Sequence, residues 1–201
     1  MREVNIQDIL EKHKKWLNNE GYKMREVNIQ DILEKHKKWL NNEDDGERAD
    51  LRGVDLQGAD LTGVDLRDAD LWGVNLRDAD LQGADLEGAD LEAADLQGAN
   101  LQDADLWSIN LQGANLRNAN LQDAFLQDAQ LMGADLRGVN LEDANLQYAN
   151  LQHANLRGVD LRGVDLRNVD LRDADLQGAD LTGIDLQTVY TRGANFKGAK
   201  L

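Results

Sequence analysis

From Ala49 to Leu201, apolar and polar positions recur with a period of five and without insertion, beginning ADLRG VDLQG ADLTG VDLRD. Leu fills 29 of the 31 central positions, with Thr191 and Phe196 as the exceptions. Two residues before each centre stands Ala (21), Val (8) or Ile (2), never a polar residue. One residue before it stands Asp (17) or Asn (10), except at Phe125, Gln130, Tyr190 and Lys200. A period of five matches neither a helix, at 3.6 residues per turn, nor a continuous strand, at 2. Within one unit, though, Ala-x-Leu alternates as a strand does, so both apolar side chains point one way and the Asp or Asn the other. The last position of the unit is Gly 16 times, Asp 7 and Asn 2, out of 30. These residues tolerate positive φ, so each extended step ends in a tight turn.

A coil of such steps cannot bury its Leu ring or pair its backbone alone, so coils must stack. The A(D/N)LXX unit resembles the pentapeptide-repeat family over residues 49–201, about three quarters of the chain. The resemblance implies an all-β solenoid, a right-handed quadrilateral β-helix with four units and twenty residues per coil. At the usual strand spacing of about 4.8 Å, its seven to eight coils make a rod roughly 35–40 Å long.

Counting in twenties assigns every residue to one of four faces, the first opening at Ala49. The first face carries three basic and six acidic residues, the second five and five, the third and fourth two and eight each. The second face has further order. Its pre-Leu row alternates Asp55, Asn75, Asp95, Asn115, Asp135, Asn155, Asp175 and Asn195, and Arg77, Arg117, Arg137 and Arg157 follow the Leu on neighbouring coils. Stacked carboxylates repel; interleaved amides double their spacing, and Arg reaches a carboxylate on the coil above or below. The alternation at a lag of twenty supports four units per coil independently of the resemblance.

The bulky outward side chains, Trp72, Trp107, Phe125, Met132, Tyr148 and Tyr190, all fall on the fourth and first faces, with His153 nearby. Trp107, Phe125, Met132, Tyr148 and His153 occupy four consecutive coils, in the stretch where Asn and Gln replace most pre-Leu Asp. Exposed apolar patches with aromatic anchors mark interaction sites. The strip Trp72, Trp107, Phe125, Met132, Tyr148 and His153 is therefore the candidate protein contact. Tyr148 and His153 also stand at the turn position, where a local change of backbone is expected.

An uncapped solenoid exposes its Leu ring and unpaired edges. Residues 28–41 read as a helix, with Asn28 as N-cap, Asp31 three places on, and a Val27–Ile32 staple. Ile29, Ile32, Leu33, His36, Trp39 and Leu40 form a stripe that would cover the first coil, with Trp39 as its plug and His36 as a packed surface residue rather than a ligand. Residues 1–20 repeat residues 24–43 without a difference, joined by Gly21-Tyr22-Lys23. This identity fits a recent duplication or an engineered chain. The first copy either pairs with the second, caps a neighbouring rod, or stays partly disordered. The expected organisation is a duplicated segment and linker (1–23), a capping helix and connection (24–48) and the repeat domain (49–201). At the far end Tyr190, Thr191, Phe196 and Leu201 alter the last coil and offer an end-to-end dimer surface.

Composition narrows the chemistry. There is no Cys and no Pro, and the formal net charge is −16. The acidity argues against direct nucleic-acid or anionic-membrane binding. No signal pattern or membrane-length apolar run stands out, so a soluble, cytoplasmic protein is expected. No nucleophile–base set, phosphate loop or metal-spaced cluster stands out, so neither an enzyme nor a cofactor is expected. The first functional reading is a structural or interaction scaffold, natural or engineered, that binds a protein partner or itself as a homodimer. The resemblance implies a second: some family members mimic duplex DNA and bind DNA gyrase or topoisomerase IV, conferring fluoroquinolone resistance. DNA about 37 Å long carries roughly 22 charges, against a net −15 for the repeat region. The repeat also runs on without the loops that interrupt it in the resistance members.

Overall fold

A computed structural model describes residues 28–201. The first copy of the duplicated segment and Val27 lie outside the described residues. From residue 49 onward the chain winds into a four-sided β-helix. Each pre-Leu residue bridges in parallel to its counterpart twenty positions on, from Asp50–Asp70 to Asp180–Lys200, apart from Asn140–Asp160 and Asp165–Asp185. The pattern of one unit repeats along the rod. Asp70 N–H donates to the Ala49 carbonyl (2.9 Å), Leu51 N–H to the Asp70 carbonyl (2.8 Å) and Gly53 N–H to the Trp72 carbonyl (2.9 Å). Val54 N–H then closes the turn on the Leu51 carbonyl (3.1 Å). Backbone pairing is thereby satisfied between coils while each extended step remains a single residue pair wide.

Every repeat Leu from Leu51 to Leu181 is at most 4% exposed, stacked with the small Ala, Val or Ile of its unit into one continuous core. Burying each Leu contributes about 1.5–3 kcal/mol. The turns explain the fifth position. Every fifth residue from Gly53 to Gly198 has positive φ except Thr188, including thirteen residues that are not glycine. Tyr148 (φ 63°) and His153 (φ 60°) share this geometry, so the change of backbone expected there is absent. It occurs at Thr188 instead. A β-branched side chain fits the left-handed region poorly, and residues Leu186–Thr188 form a 3-10 turn capped by the Asp185 carboxylate on Gln187 N–H (3.0 Å). Beside it the Asp165–Asp185 bridge is missing, leaving a groove of about 350 Å³ lined by Val164, Leu166, Ile184 and Thr188 among others.

One α-helix is present among the described residues, α1, Ile29–Leu40. Asn28 caps it by accepting from Asp31 N–H (3.2 Å), and Asp31 pairs with Lys35 (3.4 Å) rather than reaching back to Asn28. At the opposite end the last coil is half-covered: Phe196, Ala194 and Ala199 are partly buried and Leu201 is exposed.

Candidate functional site

The outward Asp/Asn row has a local job. In all 27 units that carry Asp or Asn before the Leu, its side-chain oxygen accepts from the backbone N–H two residues on, at 3.0–3.4 Å. This Asx bond fastens the entry of each turn. Only a short side-chain oxygen reaches, so Phe125, Gln130, Tyr190 and Lys200 leave their units without it. Gln130 instead turns its amide onto the Asp128 carbonyl (3.1 Å).

The second oxygen and the Asn amides link coils. On the second face Asn75 donates to Asp55 (2.7 Å), Asn115 to Asp95 (2.9 Å) and Asn195 to Asp175 (3.0 Å). Asn155 does not complete the series, because Asp135 is held by Arg137. The third face carries a run of amides, Asn140 to Asn120 to Asn100 to Asp80. Arg77 reaches Asp95 (3.2 Å) and Arg157 reaches Asp175 (3.6 Å), eighteen residues on. Where Arg instead sits two residues after its Asp, the pair is tight and the Arg hydrogen bond is the main cause of a depressed carboxylate pKa, as at Asp50, Asp65, Asp160 and Asp170. Asp85 is the opposite case. Burial, followed by the charges of Asp65 and Asp105 on the coils either side, pushes its pKa up.

Phe125 continues this fourth-face column, bridged to Asp105 below and Asn145 above. Its ring is 50% exposed. Trp107 stands eighteen residues before it, the same relation that brings Gln147 onto Asp165 (2.7 Å) and Gln152 onto Asp170 (2.8 Å). The two rings therefore occupy adjacent slots on the fourth face. Trp72, Met132, Tyr148 and Tyr190 are also exposed, as is His153. Trp72 lies on the second coil, below the four coils that hold the rest of the strip, and Tyr190 on the last. Two residues after Phe125, Gln127 lacks the Asx bond and its side-chain Oε1 is buried without a partner. The strip is thus built at a local loss of hydrogen bonding.

The N-terminal cap is organised differently from the sequence expectation. Ile29 is buried, and Ile32 and Leu33 pack partly on the core. Trp39 and Leu40 are only half-buried. The plug is His36, fully buried rather than a surface residue. Its Nδ1 accepts from Ala49 N–H (3.1 Å), the first amide of the repeat, and Trp39 stacks on it at 5.6 Å between ring centres. His36 Nε2 is buried beside the Arg67 backbone without a hydrogen bond of regular geometry, and burial lowers the imidazole pKa. Gly46 passes so close to α1 that a Cβ there would lie 2.4 Å from Trp39 N. The Arg48 Nε donates to the Asp68 carbonyl on the coil above. His36 stands on the periodic stripe, but pattern alone signalled neither its role as the plug nor the part of Gly46; the approach of residues 46–49 to the helix decides both. At the other end Thr191 is half-buried in the slot of a Leu and Tyr190 is exposed, while Lys200 reaches Asp180 (2.9 Å).

Among the described residues no group of His, Asp or Glu is arranged to hold a metal ion, and no helix is long and apolar enough to cross a membrane. Overlapping matches to the family described as pentapeptide repeats run from residue 47 to residue 201. The chain belongs to the pentapeptide-repeat family. Solved structures of similar pentapeptide-repeat proteins include HetL, involved in heterocyst differentiation regulation in the cyanobacterium Nostoc, at 32% identity over 73% of this chain and 74% of that one, with a TM-score of 0.34. A second Nostoc pentapeptide-repeat protein is 33% identical over 51% of this chain and 84% of its own, TM-score 0.44. QnrB1, a plasmid-mediated fluoroquinolone resistance protein, is 21% identical over 74% of this chain and 90% of its own, TM-score 0.38. No curated protein matches the chain.

Proposed function

We propose that this pentapeptide-repeat chain is a non-enzymatic scaffold that makes protein contacts along the fourth and first faces, and that it pairs side by side with a second copy through the strip centred on Phe125. One observation carries the reading. Phe125 is half-exposed in a slot where all 27 Asp and Asn residues make a turn hydrogen bond, so the ring stands there against the local structural preference. Residues kept at the expense of local stability mark functional surfaces. The test is solution mass by light scattering, over a range of concentration, for the parent and for Phe125→Asn. A dimeric parent and a monomeric variant are expected. A parent that is monomeric throughout, or a variant as dimeric as the parent, contradicts side-by-side pairing; in the second case the half-covered last coil around Phe196 becomes the surface to alter.

A second reading, mimicry of DNA toward gyrase or topoisomerase IV, draws on the acidic third and fourth faces. It is weakened by the Arg side chains that neutralise neighbouring carboxylates, as at Asp65, Asp160 and Asp165. Absence of inhibition or protection in a gyrase supercoiling assay at micromolar protein would remove it.

A further inference from the structure

The backbone ladder between coils is interrupted in one region, and there on two faces only. On the third face, between residues 138–143 and 157–162, bonds of the regular pattern are absent among the described residues. These are Gly138 N–H to the Arg157 carbonyl, Asp160 N–H to Val139, Leu141 N–H to Asp160 and Asp143 N–H to Arg162. Next along the same gap the bonds are long, Asp165 N–H to Ala144 at 3.3 Å and Leu146 N–H to Asp165 at 3.1 Å, and Leu151 N–H to Asp170 is back at 2.8 Å. Across Gly163 the fault steps one gap higher. There Gly163 N–H to Thr182, Asp185 N–H to Val164 and Leu166 N–H to Asp185 are absent, which is the groove beside Thr188. Side chains do not span either gap. The third-face amide run ends at Asn140, Arg162 holds Asp160 within its own unit, and Asp185 caps its own turn.

Two further observations mark a separation of the coils. Asp143 Oδ1 stands 4.0 Å from where a Cβ on Gly163 would lie, against 2.0–2.6 Å for the corresponding oxygens at Gly88, Gly98, Gly138 and Gly193. Val139, Leu166 and Val164 are 6%, 4% and 3% exposed, whereas the other buried core residues from Leu66 to Leu181 are at most 2% exposed. Over the same coils the first and second faces are unbroken. Asn155 N–H donates to Ala134 (2.9 Å), Leu156 N–H to Asp175 (2.8 Å), Asp170 N–H to Ala149 (3.0 Å) and Leu171 N–H to Tyr190 (2.8 Å).

We infer that this fault is a hinge in the rod. The coils from residue 169 onward tilt against the body that carries Trp107, Phe125 and Tyr148, opening on the third and fourth faces and bending about the intact first and second. Backbone groups already unpaired at the fault gain water as it opens, so opening breaks few bonds there, whereas anywhere else it would break a full ladder. Gly163, with φ 77°, is where the chain crosses from one side of the fault to the other. Just before it Leu161 N–H is bonded to the coil above, at Asp180 (2.8 Å), and just after it Asp165 N–H is bonded to the coil below.

The test is the distance distribution between two nitroxide labels, by pulsed electron paramagnetic resonance on the full chain. The chain has no Cys, so an introduced pair is labelled alone. Gln82→Cys with Thr182→Cys spans the fault on the third face. Arg77→Cys with Gln177→Cys joins the same two coils on the second face. All four positions point outward, and each pair is five coils, about 24 Å, apart at the usual strand spacing. A broad or two-component distribution extending to longer distance is expected for the third-face pair, and a single narrow one for the second-face pair. Equally narrow distributions overturn the hinge. Equally broad ones overturn it too, since they would place the motion in the whole rod rather than at the fault.

Discussion

At the scale of the residue, the five-residue unit is a hydrogen-bonding device as much as a hydrophobic one. Leu and Ala supply the core. Asp or Asn supplies the acceptor that starts the turn, and Gly or a residue tolerant of positive φ completes it. Asn serves this slot better than Asp when it also donates to the coil below, as Asn75 does to Asp55. Runs of carboxylates are therefore the weak points, and Asp65–Asp85–Asp105 is one. Asp85 accepts from Glu87 N–H (3.3 Å), a bond that Asn would keep. Its pKa is raised by burial and by its two acidic neighbours despite Arg67 at 3.3 Å. A carboxylate with a raised folded-state pKa opposes folding once pH exceeds its ordinary value of about 4. Asp85→Asn is accordingly expected to raise the thermal midpoint at pH 7, with the gain fading as pH falls through the raised folded-state pKa and absent below about 4. A midpoint that drops at pH 7 would show that the Arg67 pair outweighs the burial and the repulsion.

The element that closes the rod, α1, shows where sequence reading succeeds and where it stops. Its start at Asn28 was legible from capping chemistry, and its apolar stripe from periodicity. Which member of the stripe becomes the plug was not, because that depends on the path of Gly46–Ala49 across the helix. Gly46 offers a direct check. Gly46→Ala places a methyl group against the Trp39 backbone, which cannot rotate away. A loss of about 1–3 kcal/mol is expected in chemical denaturation, with first-coil amides losing protection before mid-rod ones. Uniform loss along the rod would contradict a local clash. His36 makes the same element sensitive to pH. Burial holds its folded-state pKa below the ordinary value; the charges of Asp65 and Asp68 and the Arg67 backbone resist this, and Arg48 reinforces it. The folded chain thus binds fewer protons at this site than the unfolded one. The contribution is complete above about pH 6.5 and is lost as pH falls from there through the folded-state pKa. The thermal midpoint is expected to fall between pH 7 and pH 5.5 in the parent and to stay level in His36→Gln. A parallel fall in both would place the titration elsewhere.

At the scale of the whole molecule, the four-sided section was legible twice over, from the uninterrupted period of five and from the lag of twenty on the second face. Regularity made it so: with no insertion, counting alone places each residue on a face. The departures were harder to read. Tyr148 and His153 looked like breaks in the backbone yet follow it, whereas Thr188, an unobtrusive Thr, opens a groove because its branched Cβ fits the left-handed turn poorly. The strip was visible as a list of bulky residues on two faces, but the adjacency of Trp107 and Phe125 follows from the contact at a spacing of eighteen, and the missing bond at Gln127 from the turn geometry. All of this converges on one claim: the slot before each Leu is chosen for its turn hydrogen bond, and Phe125 forgoes that bond. Thermal unfolding of Phe125→Asn against Phe125→Ala isolates it, since both remove the ring and only Asn restores the acceptor. The Asn variant is expected to be more stable than the Ala variant by about 0.5–1.5 kcal/mol, the usual net value of one hydrogen bond. Equal stabilities, or a less stable Asn variant, would contradict the claim.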